Sequence, residues 1–183
     1  MSSILRRIVF ISSYPPRHCG IASFTMSLVK SLNELSPDLE TKVIAVNNMQ
    51  NFDYNEDVVF TISKNLKDDY TKAAEVINNI SPDIICLQHE FGLFHPIFLV
   101  NLLKRIKGKV VTVLHSIAPF RCTSQSFKKL CHLSNVITVM INRAALILSK
   151  FYSVDNYKMG WFISLGNYGN TFIRTTKPHI AFL

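Results

Sequence analysis

Six short runs rich in β-branched and aromatic residues alternate with segments of helical period along this chain, and no other feature restricts its fold as much. The runs fall at residues 7–12, 41–46, 57–62, 84–88, 109–114 and 135–140. Each has the length and composition of a buried strand. The fifth, KVVTVL, is apolar almost throughout, as a strand covered on both faces must be. Between the runs, Ile21, Phe24, Leu28, Leu32 and Leu35 trace the apolar stripe of one helix. Ala73, Val76, Ile77 and Ile80 trace a second over residues 69–80, which Ser81-Pro82-Asp83 stops. Pro96 opens a third helix that runs to about Ile106, with Gly108 just past its end, and residues 143–152 read as a fourth. Strands alternating with helices require right-handed crossovers. The chain is therefore expected to be α/β, a Rossmann-like, mostly parallel sheet with helices on both faces.

Length and composition are compatible with that fold. A chain of 183 residues supports one domain with a sizeable core. An apolar fraction of 48% against 17% charged residues lies far from the disordered regime. No apolar run approaches the roughly 20 residues of a membrane span. The N-terminal apolar run, Ile8 to Ile11, is shorter than the about 7–15 residues of a signal peptide, so a cytoplasmic location is expected. Cys19, Cys86, Cys122 and Cys131 form no CxxC pair and read as free thiols.

Charge is distributed unevenly. Residues 1–100 carry 8 Lys and Arg against 11 Asp and Glu, whereas residues 101–183 carry 12 against one, Asp155. Such a basic half suits an anionic membrane surface or a phosphorylated ligand. The plainer reading makes Lys104, Arg105, Lys107, Lys109, Lys128 and Lys129 the solvated faces of surface helices. No aromatic-interleaved platform or zinc-reader spacing is present, so nucleic-acid binding is not expected.

The loop after the first run, SYPPRHCGIASF over residues 13–24, holds two prolines, Arg17, His18 and Gly20 immediately before a helix. A strand-loop-helix start aims backbone N–H groups at the carboxyl edge of a sheet, where an anion fits and a glycine permits close approach. Most such loops bind nothing, and one glycine is no fingerprint. His89 and His95 stand six residues apart in a loop-like segment and Cys131-His132 lacks a second pair, so no metal site is expected. His115 follows the fifth run directly, at the edge where open α/β sheets place ligands. It reads equally as a ligand-facing residue or as a half-buried histidine bonded to a nearby carbonyl.

Four segments occur in order: YPPRHCGIASF; PDIICLQHEFGLF over residues 82–94; the strand ending in LHS at residues 114–116; and the stretch from Val139 to Lys158. Together they resemble the N-terminal half of a group-1 (family 4) retaining glycosyltransferase of the GT-B type, over about residues 4–158. In that family they read as PP-x-x-CGIA-x-F, QxEFGxF, a strand ending in LHT, and Tyr-x-Val-Asp-x-x-Lys. The resemblance implies that Gly20, with Cys19 and Ile21, approaches the donor diphosphate and the acceptor. It implies that His115 orients the donor sugar and that His89 and Glu90 face the acceptor. Arg17 becomes an expected phosphate contact. The implied reaction moves a sugar from a nucleotide-diphosphate sugar to a hydroxyl acceptor with retention, using no cofactor, metal or conventional nucleophile.

After Lys158 the resemblance stops. The family continues with a strand, Pro-His-Gly and a donor-binding domain. Here residues 159–183 hold no acid, three glycines, the only tryptophan and a Pro-His-Ile. The expected organisation is an acceptor-side domain over residues 1–158 and a divergent tail over 159–183, inactive alone because catalysis requires both walls of the cleft. The alternatives are a non-catalytic binding or regulatory module pairing with a separate donor domain, or a basic membrane-surface protein.

Overall fold

A computed structural model describes residues 6–48, 52–117, 125–152 and 157–159. Among these residues, seven strands and five helices follow one another as β1 (Arg7–Ser12), α1 (Gly20–Leu35), β2 (Glu40–Asn47), β3 (Val58–Ser63), α2 (Lys67–Ile80), β4 (Ile84–His89), α3 (Pro96–Arg105), β5 (Lys109–Leu114), α4 (Gln125–Leu133), β6 (Val136–Val139), α5 (Asn142–Tyr152) and β7 (Tyr157–Met159). The strands form one sheet in the order β3-β2-β1-β4-β5-β6-β7. Every pairing is parallel. The chain first winds outward from β1 through β2 to β3, then returns to lay β4 on the other side of β1. The reversal between β1 and β4 opens a crevice at the carboxyl edge of the sheet, where such folds seat their ligands.

Side-chain alternation along β1 divides the core in two. Val9 and Ile11 point into the larger cluster with Ile44, Val46, Ile85 and Leu87 of neighbouring strands. Buried residues of α2, α3, α4 and α5 pack on that face. Ile8 and Phe10 point the other way, into a smaller cluster with Val43, Ala45, Cys86 and Val113 under Val29 of α1. A strand period of two, apolar at the four positions from Ile8 to Ile11, makes both assignments from one strand.

Three sequence expectations need correction. The buried line of α1 is Ala22, Thr25 and Val29, with Ile21, Phe24, Leu28 and Leu32 half-buried beside it. Leu35, expected in the stripe, is 78% exposed. Small residues let the helix lie close on the sheet, and Thr25 enters without penalty because its hydroxyl donates to Ile21 O at 2.8 Å and meets Ser12 Oγ at 2.7 Å. Helix α2 begins two residues earlier than expected, and Tyr70 and Ala74 join Ala73 and Ile77 on its buried face. Helix α4 and strand β7 add to the expected elements, β7 overlapping the end of the stretch that reads Tyr-x-Val-Asp-x-x-Lys. Of the expected tail over residues 159–183, Met159 is the last residue of β7, and residues 160–183 lie outside the described residues, as does Cys122.

Two positions show why the boundaries fall where they do. Ser81 ends α2 in a left-handed conformation, φ 53°. Gly108 takes φ +132° between α3 and β5, where a Cβ would stand 3.2 Å from Pro82 O and 3.3 Å from Ile85 Cδ1. Asp83, just before β4, accepts from the backbone N–H groups of Arg6 and Arg7 at 2.9 and 3.0 Å. These two bonds hold its carboxyl below the usual carboxylate range and fasten β4 to the start of β1.

Candidate functional site

The carboxyl ends of β1, β4 and β5 meet at the crevice. From the end of β1, Ser12, Ser13 and Tyr14 stay buried, a cis peptide joins Pro15 and Pro16, and turns from Arg17 to Tyr14 O and from Cys19 to Arg17 O carry the chain into α1. Cys19 is the N-cap residue: its Sγ accepts from Ala22 N at 3.4 Å and lies 3.1 Å from Ser13 Oγ. The thiol therefore does what Ser or Asp does at most helix starts, satisfying one orphan N–H. Gly20 opens the helix with its α-carbon exposed, and nothing lies within 4 Å of where a Cβ would project. Ile21 is half-buried and packs against the larger core. Arg17 is half-buried too, its Nη1 donating to Val46 O at 2.9 Å.

One turn into α1, the Phe24 ring meets His115 edge to face, centroids 5.1 Å apart. His115 follows β5, and its backbone N–H donates to His89 O at 3.0 Å, extending the β4–β5 ladder by one residue. Its Nε2 lies 2.8 Å from Gln88 Oε1. Burial holds the imidazole below its ordinary pKa, the nearby Glu90 opposing in part. Gln88 is fully buried, and its Nε2 donates to Cys86 Sγ at 3.3 Å. The amide oxygen can only accept, so Nε2 of a neutral His115 carries the proton and Nδ1 is the accepting nitrogen. Burial also pushes the Cys86 thiol up to about 12, so it is a protonated core group and not a nucleophile.

Glu90 is half-buried at the lip, its Oε1 accepting from Ser116 Oγ at 2.5 Å. His89 turns inward. It is 7% exposed, stacks parallel to Phe94, and meets Phe91 and Phe127 at 5.2 and 5.7 Å. Burial, with a smaller contribution from His115, lowers its pKa to about 4, so it is neutral near pH 7. Its Nδ1 is buried without a hydrogen-bond partner.

The structure thus brings Gly20, His115, Glu90 and the backbone of His89 to one edge. It sends the His89 ring beneath that edge and ties Arg17 toward the end of β2. Sequence reading assigned no role to Gln88, although a glutamine inside an apolar strand is a signal, since a buried amide needs partners. Phe24, read as core, instead packs against the site histidine. Among the described residues, no group of three or more His, Cys, Asp or Glu side chains is placed to hold a metal ion. No helix among them is long and apolar enough to cross a membrane. No protein-family model and no curated protein sequence matches the chain significantly.

Proposed function

We propose that this chain supplies the acceptor-side wall of a GT-B glycosyltransferase cleft of the group-1 (family 4) retaining type. It would help transfer a sugar from a nucleotide-diphosphate sugar to a hydroxyl acceptor. The observation that carries the reading is the meeting of three features at one crevice: open space over Gly20 at a helix N-terminus, a neutral His115 with a fixed tautomer, and Glu90 at the lip. N–H groups of the first turn of α1 face an anion such as the donor diphosphate. His115 Nδ1 accepts from a sugar hydroxyl and orients the donor. Glu90 and the β4 loop attend the acceptor. Arg17, with one guanidinium nitrogen fixed on Val46 O, is a phosphate contact through the others. In this reading, catalysis is electrostatic stabilisation plus positioning of the two substrates. The described residues form one wall, so turnover calls for a second, donor-holding domain.

The test is a titration of UDP-, GDP- and ADP-sugars into isotope-labelled protein, followed by NMR and by product analysis. The reading predicts weak, saturable shifts at Gly20, Ile21 and His115 that depend on the diphosphate sugar and not on the base, and little or no transfer by this chain alone. Absence of binding for every donor overturns it. Robust turnover without a partner domain contradicts its two-wall basis.

A second reading follows from charge. Lys104, Arg105, Lys107, Lys109, Lys128 and Lys129 are all exposed, and residues 101–152 contain no acid to neutralise them. Helices α3 and α4 lie side by side on one face of the sheet. That surface suits peripheral contact with an anionic bilayer. Binding to phosphatidylserine vesicles that weakens steeply with salt supports this reading; indifference to lipid charge removes it.

A further inference from the structure

On the α1 side of the sheet, helix α1 and the segment before β3 bound an open groove of about 410 Å³. That volume falls within the roughly 300–1,000 Å³ of small-molecule sites. The helical wall is one stripe of α1, Met26, Val29 and Asn33, at spacings of three and four residues. Val29 is buried and Met26 is 38% exposed, so the stripe gives the groove an apolar side. Methionine is flexible enough to fit ligands of different outline. Gly20, Glu90 and His115 do not line this groove, which is distinct from the crevice.

The segment before β3 supplies the polar side, and Asp57 gives it its character. Asp57 Oδ2 accepts from the Tyr14 hydroxyl and from Asn55 Nδ2, each at 2.8 Å. Both donors are neutral. Burial and the bond to Asp57 hold the Tyr14 hydroxyl above its ordinary pKa, so it stays protonated. Asp57 is half-buried, and among the described residues it makes no ion pair and its Oδ1 takes no hydrogen bond. Two neutral donors thus fix the direction of the carboxylate and leave its charge unanswered. The surroundings reinforce that charge: Glu34 also lines the groove, and residues 33–57 hold six Asp and Glu against one Lys. Lys30, the cation in the lining, pairs with neither carboxylate. Such a field draws cations and repels anions.

We infer that this groove binds an organic cation, an alkylammonium group on a hydrocarbon chain, with the ammonium on Asp57 and the chain along Met26 and Val29. An ammonium brings three donors and the opposite charge to a carboxylate that has one oxygen open. A neutral alcohol leaves the charge of Asp57 unanswered, and an anion meets two carboxylates. The inference does not depend on the transferase reading.

Four probes decide it. Hexylammonium, hexanol and hexanoate share a tail and differ in charge, and methylammonium keeps the charge without the tail. Each is titrated into the full chain at pH 7 and followed by amide NMR. Hexylammonium is expected to give saturable shifts at Val29, Asn55 and Asp57, binding about tenfold tighter than hexanol or methylammonium, with hexanoate silent. Asp57→Asn keeps an acceptor for the Tyr14 hydroxyl and should bring hexylammonium down to the level of hexanol. Met26→Lys, at an exposed position of α1, should weaken hexylammonium about tenfold while the circular dichroism spectrum is unchanged. That second variant leaves the Tyr14–Asp57 bond in place, so it tests the groove even where Asp57→Asn fails to fold. Equal affinity for hexylammonium and hexanol, binding of hexanoate, unchanged hexylammonium affinity in folded Asp57→Asn or in Met26→Lys, shifts confined to another surface, or no binding of any probe overturns the inference.

Discussion

His115 and Gln88 meet across neighbouring strands, imidazole Nε2 to amide Oε1 at 2.8 Å, and the same amide is held from behind by Cys86 Sγ. A buried glutamine tethered at both ends is a rigid acceptor, so it selects the Nε2–H tautomer of His115 and leaves Nδ1 to meet a ligand. Replacing the amide by a carboxylate, Gln88→Glu, puts a negative charge on that nitrogen and should raise the His115 pKa above its wild-type value. Gln88→Leu should leave the ring as a mixture of tautomers. Ring ¹⁵N shifts followed through a pH titration read both effects, and a titration curve identical in all three proteins refutes the arrangement.

His89 links the site to acid stability. Its folded pKa of about 4 lies below the unfolded value near 6.5, so only the unfolded chain takes up the proton between those limits. Stability contributed by the neutral ring is complete above about pH 6.5 and is lost as pH falls toward 4, by about 3 kcal/mol in all. His115, also held low, adds in the same direction as pH falls below its unfolded value. Urea unfolding at pH 7 and pH 4.5 should show this loss, and His89→Phe should flatten it. An unchanged slope in the variant contradicts the assignment.

Gly108 is required by backbone and packing together. Its φ of +132° disfavours any side chain, and a methyl group there would press on Pro82 O and Ile85 Cδ1. Gly108→Ala should destabilise the fold by about 1–3 kcal/mol, read from the denaturant midpoint.

Tyr70 fastens α2 to both of its neighbours. The ring is 1% exposed, and its hydroxyl donates to Lys64 O at 2.9 Å while accepting from His95 N at 3.0 Å. Tyr70→Phe strands both groups, and a loss of about 1–3 kcal/mol is expected in equilibrium unfolding. A neutral substitution means that water replaces the hydroxyl.

The strand skeleton was legible because β1, β4 and β5 each carry at least four consecutive β-branched or apolar residues, and a parallel sheet covered on both sides leaves them no alternative. The centre of α1 was not, because its contact line is Ala22 and Thr25, whose burial reflects close approach and a hydroxyl pair with Ser12. Helix α4 hides Phe127, Leu130 and Cys131 among two lysines and a histidine, and β7 is three residues with no β-branched side chain. At the site, His115 was legible because it stands directly after a strand, and Gly20 because it opens the helix that follows a strand and its loop. Gln88 as the partner of His115 was not, since that contact depends on the β4–β5 register, His89 opposite Leu114. The inward turn of His89 likewise depends on Phe127, 38 positions along the chain but 5.7 Å away.

Gly20 gives the most direct test of the central claim, because the fold itself asks nothing of it. A Cβ there meets nothing within 4 Å, so Gly20→Ala should fold with unchanged stability and differ only in what can approach the first turn of α1. The decisive measurement is the amide spectrum of both proteins titrated with the nucleotide-diphosphate sugar that binds best. The account predicts saturable shifts at Gly20, Ile21 and His115 in the wild type, weakened about tenfold or more in Gly20→Ala by the loss of close phosphate contact. Equal binding by the two proteins, or shifts confined to another surface, contradicts the placement of the donor diphosphate at this edge.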